Sequence, residues 1–333
     1  MTALLEVQDL RLHYSTLRGQ IRAVDGVSFT LEGGEALGLV GESGSGKSSI
    51  ALAILRSLPK NVVNYGGAVY LEGVNLTELS NEEFRRKVRW RKISMVFQGA
   101  MNSLNPVLKV GHQIIEPLSL DKSHSKQEAQ QKAESLLEMV GLPREIFHRY
   151  PHELSGGMKQ RAIIAMALIL DPLLVILDEP TSALDVSVQA QITNLLKRLK
   201  AELDLSIVFI THDIALTSDI CDYIAIVYGG RIVEHGSVEQ ILSTPAHPYT
   251  QKLLASIPRL QVGTKPEFIP GSPPDLVSPP PGCRFHPRCP FAFEPCDNLE
   301  PPLFEVQAGH EAECWLYRDR SRAGDILASG GPS

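Results

Sequence analysis

The chain has 333 residues, with 32 basic and 38 acidic side chains and a net charge of −6. That length suits two or three domains, and a hydrophobic content of 43% supplies a sizeable core. No block of basic residues stands out, which disfavours nucleic acid as the main partner. Met1–Asp9 lacks a basic n-region and a cleavage site, so no signal peptide is expected. The most apolar stretch, Ala162–Leu177, is broken by Asp171-Pro172 and is too short to span a bilayer. The composition therefore predicts a cytosolic chain.

Residues 3–40 carry alternating or apolar runs with turns expected at Gly19, Gly26 and Gly33-Gly34, a pattern for an antiparallel β-layer. Tyr14 closes the first run, where an aromatic side chain has the choice of stacking on a base or packing as a strand residue. Glu35–Val40 then predicts a buried strand and Ser48–Leu55 a helix. Between them Gly41-Glu42-Ser43-Gly44-Ser45-Gly46-Lys47-Ser48-Ser49 fits G-x-x-x-x-G-K-[ST]. Glycines let such a loop curl with its N–H groups inward, and the helix N-terminus adds partial positive charge. Lys47 is then placed for the β/γ-phosphates of a nucleotide and Ser48 for Mg²⁺.

Further strands are expected at Gly67–Glu72 and Lys92–Gln98, with a charged helix around Glu82–Arg89. Gln98 follows a buried-looking strand and precedes the flexible Gly99–Pro106. A neutral amide there can orient water or ligate Mg²⁺. Residues 107–170 change to helical spacing, with helices predicted over Val110–Leu118 and Lys126–Val140. This block, about 99–170, reads as an inserted helical subdomain. Within it Leu154–Arg161 contains Ser155-Gly156-Gly157 at a helix start, a second candidate anion site.

Leu173–Leu177 is wholly apolar and ends in Asp178-Glu179-Pro180, as a parallel strand buried on both faces would. Asp178 there suits the Mg²⁺ shell, and Glu179 suits polarising a water beside the γ-phosphate. A turn through Asp185, a helix to about Leu203 and the strand Leu205–His212 follow. A hairpin over Val227–Gly236 and short helices at Ser237–Leu242 and Tyr249–Ser256 complete this region.

Residues 259–333 have a different character. Pro266–Pro281 is proline-dense and predicts a stiff, extended lead-in. Cys283, Cys289, Cys296 and Cys314 follow, whereas Cys221 is the single cysteine before them. Four clustered cysteines in a reducing compartment point to a metal site, either closed Zn²⁺ or an iron–sulfur cluster. The wide spacing and Cys289-Pro290 suit a cubane better than a zinc ribbon. His286 and His310 are not expected as ligands.

In this order the motifs resemble the ATP-binding cassette superfamily over roughly residues 3–258. Gly41–Ser48 matches Walker A, Gln98 the Q-loop, Leu154–Gln160 the signature, Leu174–Glu179 Walker B, Ser182–Asp185 the D-loop and His212 the switch histidine. Met158 stands where the signature usually has glutamine. The resemblance implies an α/β P-loop NTPase fold, a RecA-like core with an antiparallel β-subdomain and a helical subdomain. It implies that Tyr14 stacks on adenine and that Gln98, Glu179 and His212 are catalytic. Two cassettes would pair head to tail, with Ser155, Gly156, Gly157 and Asp185 completing the partner's ATP site.

Pro270–Asp275, Cys283–Pro290 and His247–Leu254 further resemble the oligopeptide/dipeptide importer ATPases. That subfamily implies a second, related ATPase in a heterodimer, two transmembrane permease subunits and an extracytoplasmic substrate-binding protein. The chain would then sit peripherally on the cytoplasmic face of the membrane. Some members carry a [4Fe–4S] cluster at these cysteines. Relatives also move oligosaccharides and other small solutes, and soluble cassette ATPases exist, but those carry tandem cassettes or a long coiled coil.

Overall fold

Alternating apolar residues build two long antiparallel strands first, β1 (Leu5–Thr16) and β2 (Gly19–Leu31). They run from the pair Leu5↔Leu31 to Thr16↔Gly19 in a computed structural model that describes residues 3–119, 125–256 and 268–318. A turn falls at Gly33-Gly34 as predicted; the first turn is Leu17-Arg18, with Gly19 already the first residue of β2, and Gly26 is not a turn. Leu10 faces Val27 and Arg11 faces Asp25, which leaves Gly26 unopposed at φ 85°. It is a bulge that bends the strand.

After β3 (Ala36–Val40) and α1 (Lys47–Ile54), β4 (Val62–Leu71) returns to pair with β1, and β5 (Val74–Asn75) pairs with β4. These strands form a four-stranded antiparallel sheet in the order β2-β1-β4-β5. Helix α2 (Asn81–Lys87) starts with a capping box in which Ser80 and Glu83 satisfy each other's backbone N–H. Strand β6 (Ile93–Val96) follows.

The helical block consists of α3 (Val110–Ile114), α4 (Glu116–Ser119), α5 (Lys126–Met139) and α6 (Gly156–Leu168). Periodicity predicts one helix over Val110–Leu118, and the structure breaks it at Ile115. Pro117 has no N–H to donate to the carbonyl of Gln113, so the ladder is interrupted. In α5, Ala129, Ala133, Leu136 and Leu137 are buried at the predicted spacing.

The remaining elements are β7 (Leu174–Asp178), α7 (Val186–Leu203), β8 (Ser206–Thr211), α8 (Ile214–Ile220), β9 (Tyr223–Tyr228) and β10 (Arg231–Ser237). They continue with α9 (Val238–Ser243), α10 (Pro248–Ala255), β11 (Phe304–Gln307) and β12 (His310–Ala312). The main sheet has the order β11-β12-β10-β9-β3-β8-β7-β6. Strands β9, β3, β8, β7 and β6 are parallel. On one face, Leu37, Leu39, Val208 and Ile210 pack with α1 and the antiparallel sheet. On the other, Leu177, Ile207 and Phe209 pack with α5, α6 and α7. Burial on both faces is why these strands read as unbroken apolar runs.

Composition sets residues 259–333 apart, yet the described part, 268–318, is built into the sheet. Strand β12 pairs with β10, with Glu234 opposite Ala312. The Glu234 carboxylate is wholly buried. It accepts hydrogen bonds from Ala246 N at 2.6 Å, His247 N at 2.9 Å and His310 Nε2 at 2.7 Å. Arg284 reaches from the tail to Asp25 of β2 and to the carbonyl of Gly229. Burial pushes the Asp25 carboxyl up, but the hydrogen bond and charge of Arg284 outweigh it and hold it below the usual range. The boundary expected at 258/259 lies outside the described residues, as do 319–333.

Replacing His310 by Leu removes one of three donors from a wholly buried carboxylate. We expect a loss of about 3 kcal/mol in urea denaturation, typical of breaking a buried pair on one side. A change below about 0.5 kcal/mol would mean that Glu234 is satisfied without the tail.

Candidate active site

Four parallel strands deliver chemistry to one edge. Strand β3 runs into Gly41–Ser49, β6 into Gln98, β7 into Asp178-Glu179 and β8 into His212. Gly41 and Gly46 are each demanded by the packing. A Cβ on Gly41 would lie 2.1 Å from the Val227 carbonyl oxygen. Gly46 has φ 109°, and a Cβ there would lie 2.2 Å from the carbonyl of Ala23. Ser43 and Gly44 are exposed on the loop, and Ser45 and Lys47 are buried. Lys47 Nζ donates to the carbonyls of Gly41 at 2.7 Å and Glu42 at 2.8 Å. Burial lowers its pKa against the opposing pull of Glu179 and Asp178. Ser49 Oγ accepts from the Tyr14 hydroxyl at 3.2 Å, which places the aromatic ring beside the start of α1.

Ser48 Oγ donates to Asp178 Oδ1 at 3.1 Å. Desolvation raises the Asp178 carboxyl above its ordinary range. Glu179 stands between two partners. Gln98 Nε2 donates to its Oε2 at 3.0 Å, and His212 Nδ1 lies 3.0 Å from its Oε1. A carboxylate only accepts, so this contact puts the imidazole proton on Nδ1. Glu179 also has φ 45°, a left-handed backbone that nothing in the sequence signals. A cavity of about 80 Å³ adjoins it, lined by Thr181, Ser182, Gln189, Thr211 and His212. The structure thus brings together Lys47, Ser48, Gln98, Asp178, Glu179 and His212.

The other predicted residues lie apart. Ser155 caps α6, its Oγ accepting from Met158 N at 3.3 Å, and Ser155 and Gly156 are exposed. Among the described residues no hydrogen bond or ion pair joins Ser155–Gly157 to Gly41–Ser49. Asp185 is exposed and caps α7, accepting from Val188 N at 3.0 Å and Ser187 Oγ at 2.6 Å. The hydrogen bond from Ser187 lowers its carboxyl pKa.

Cys283, Cys289, Cys296 and Cys314 are free thiols that line one cavity with Phe285, Phe291, Phe293 and Trp315. Burial pushes Cys283 up to about 11 and Cys289 up to about 12. His310 is committed to Glu234, and His286 Nδ1 to the Cys283 carbonyl at 2.9 Å. Among the described residues no three His, Cys, Asp or Glu side chains converge closely enough to hold a metal ion. Neither the iron–sulfur cluster nor the closed Zn²⁺ site expected from the cysteine count therefore finds support in this geometry.

Comparison with known proteins matches residues 24–182 to the ABC transporter family. Residues 233–296 match the family described as oligopeptide/dipeptide transporter, C-terminal region. The oligopeptide transport ATP-binding protein OppD of Bacillus subtilis is 46% identical over 321 residues, covering 95% of this chain and 89% of that protein. The chain belongs to the oligopeptide/dipeptide ABC transporter ATP-binding proteins. OppD of Escherichia coli is 46% identical over 94% of this chain and 93% of its own. The dipeptide transport protein DppD of B. subtilis is 43% identical over 96% and 97%. Among solved structures, the ATP-binding cassette MJ0796, in a dimeric post-hydrolysis state bound to ADP and Pi, aligns with TM-score 0.62. It is 29% identical and covers 70% of this chain and 98% of its own. The C-terminal family match begins inside β10, well before residue 259, in keeping with a tail that shares the main sheet. Sequence reading misses Glu42, an unspecified position of the loop motif, and Arg288, which pairs with it across 246 residues.

Gly46→Ala should abolish nucleotide binding without unfolding the chain, because the new methyl group displaces the loop and not the sheet. Titration with a fluorescent ATP analogue, with circular dichroism as the fold control, checks this. Wild-type affinity would contradict the crowding at Ala23.

Proposed function

We propose that this chain is the ATP-hydrolysing subunit of a peptide importer. The observation that carries the proposal is Glu179, held between Gln98 and His212 beside the Ser48–Asp178 pair. In this reading the backbone of Gly41–Ser49 and Lys47 bind the phosphates of ATP, and Tyr14 stacks on the adenine. Ser48, Gln98 and Asp178 hold Mg²⁺, which when bound supplies charge against the β/γ-phosphates. Glu179 takes a proton from the attacking water, and His212 stabilises the transferring γ-phosphoryl group.

Ser155, Gly156, Gly157 and Asp185 belong to a different nucleotide in this proposal. Their exposure and separation from the chain's own loop support a second cassette, a related ATPase in a heterodimer, whose ATP they would cap. That the cassette MJ0796 was solved as a dimer supports a paired assembly. Two permease subunits and an extracytoplasmic binding protein complete the importer, with this chain peripheral on the cytoplasmic face. Among the described residues no helix is long and apolar enough to cross a membrane. A cavity of about 90 Å³ lined by Leu55, Trp90, Met95 and Phe97 lies next to Gln98, and Phe97 is 48% exposed. That apolar surface suits a permease segment and would report its movement to Gln98.

For the tail, the proposal is that residues 259–333 are the oligopeptide-transporter extension and that its four thiols hold a [4Fe–4S] cluster with a structural role. Support comes from four free cysteines that line one cavity with Phe285, Phe291 and Phe293. ATP hydrolysis has no use for an electron, so no step of turnover passes through that group.

Glu179→Gln should retain ATP binding while turnover falls at least 10²–10⁴-fold, the usual share of a general base, and uptake of a labelled peptide by the assembled complex should stop with it. Near-normal turnover would remove Glu179 as the base. Iron and sulfide analysis with a visible spectrum tests the tail, where Cys289→Ser should bleach the spectrum. A colourless, iron-free preparation made without exposure to air would overturn the cluster.

A further inference from the structure

Glu42 is the second residue of the phosphate loop, and every polar group it carries is engaged. Its N–H donates to the Tyr249 hydroxyl at 2.9 Å. Its carbonyl accepts from Lys47 Nζ at 2.8 Å and Ser45 N at 3.2 Å. Its carboxylate accepts two hydrogen bonds from the Arg288 guanidinium, at 2.8 and 3.1 Å. Arg288 lies next to Cys289 in the tail, and it is fixed in its turn. Its Nε donates to the Pro270 carbonyl at 2.7 Å, and its Nη1 also reaches the Tyr228 hydroxyl at 3.2 Å.

This pair is shielded, the two side chains being 6% and 25% exposed. Another tail pair, Asp275 with Arg18 of the β1–β2 turn, is 48% and 80% exposed and contributes little by comparison. The charges matter because of where they sit. An unpaired carboxylate in a phosphate loop repels a polyphosphate anion and competes for Lys47. The two-pronged contact neutralises Glu42 and fixes its direction at once. The loop itself offers no slack, since Gly41 is seated against Val227.

We propose that Arg288 is a positioning residue for nucleotide binding, holding Glu42 away from the phosphate cradle so that the tail is a working wall of the ATP site. The proposal rests on the reading of Gly41–Ser48 as that cradle. A purely anchoring role is the alternative, and Arg284 supplies the comparison, because it ties the same tail to Asp25 and the Gly229 carbonyl and, among the described residues, makes no hydrogen bond to Glu42.

The test uses the full chain and titration with a fluorescent, slowly hydrolysed ATP analogue, with the melting temperature measured in parallel. Arg288→Gln should weaken binding about tenfold, a middling value for coupled neighbours. Glu42→Gln alone should bind at least as well as wild type. The double variant should return to within about twofold of Glu42→Gln. Arg284→Gln should lower the melting temperature and leave the affinity within about twofold. A loss in Arg288→Gln that persists in the Glu42→Gln background overturns the proposal, as does wild-type affinity in Arg288→Gln. Arg288→Lys keeps the charge without the fork and gives the same comparison if Arg288→Gln does not fold: a loss relieved by Glu42→Gln supports positioning, and an absent or unrelieved loss overturns it. If wild type binds no nucleotide, or binds it equally well as Lys47→Ala, the cradle reading fails and not the Arg288 contact alone.

Discussion

The hydrogen bond from Ser48 to Asp178 joins the start of α1 to the end of β7. It spans the two strands on which the site depends, since β3 and β7 flank β8 in the sheet. Parallel pairing forces the ends of these strands to one edge, and burial on both faces keeps that edge rigid. Asp178 is nearly dry there, which raises the cost of its charge until a cation shares it. The next residue turns through a left-handed backbone, and Glu179 meets Gln98 and His212 in place of Ser48. Adjacent acids thus acquire different partners because one peptide unit is strained.

The same edge explains why the site is open on one side. The signature residues start α6 at the surface, on the helical block that packs against the far face of the sheet. Among the described residues no carboxylate hydrogen-bonds the backbone N–H groups of Ser155–Gly157. Gln98 bonds the Glu179 carboxylate and directly follows Phe97, which lines the neighbouring cavity.

Buried and half-buried carboxylates attach the tail to the cassette. Glu234 draws in His310, Asp25 draws in Arg284, and Glu42 draws in Arg288. A buried carboxylate that loses its partner is costly, so each contact makes detachment of the tail unfavourable. Arg288, next to Cys289 of the cysteine cavity, thereby links the tail to Glu42 in the Gly41–Ser49 loop.

Much of this was legible in the chain itself. Gly41–Ser48 dictates its own backbone, because glycine and a following helix start are local requirements. The apolar runs ending in Asp178 and His212 announce buried parallel strands, and the apolar spacing of Ala129, Ala133, Leu136 and Leu137 announces α5. Local signals failed where chemistry at a distance decided. Gly26 looked like a turn and became a bulge because of its pairing with β1. Val110–Leu118 is a different case: its apolar spacing looked continuous, but it broke at Ile115 because of the nearby Pro117, a local cue. The tail looked separate because proline and cysteine dominate its composition, yet backbone hydrogen bonds to β10 place it in the main sheet. The sequence by itself determined the cradle, the strand ends and the family. Only the tertiary structure decided that Glu42 faces Arg288, because an ion pair between residues 246 positions apart leaves no periodicity, spacing or motif to read.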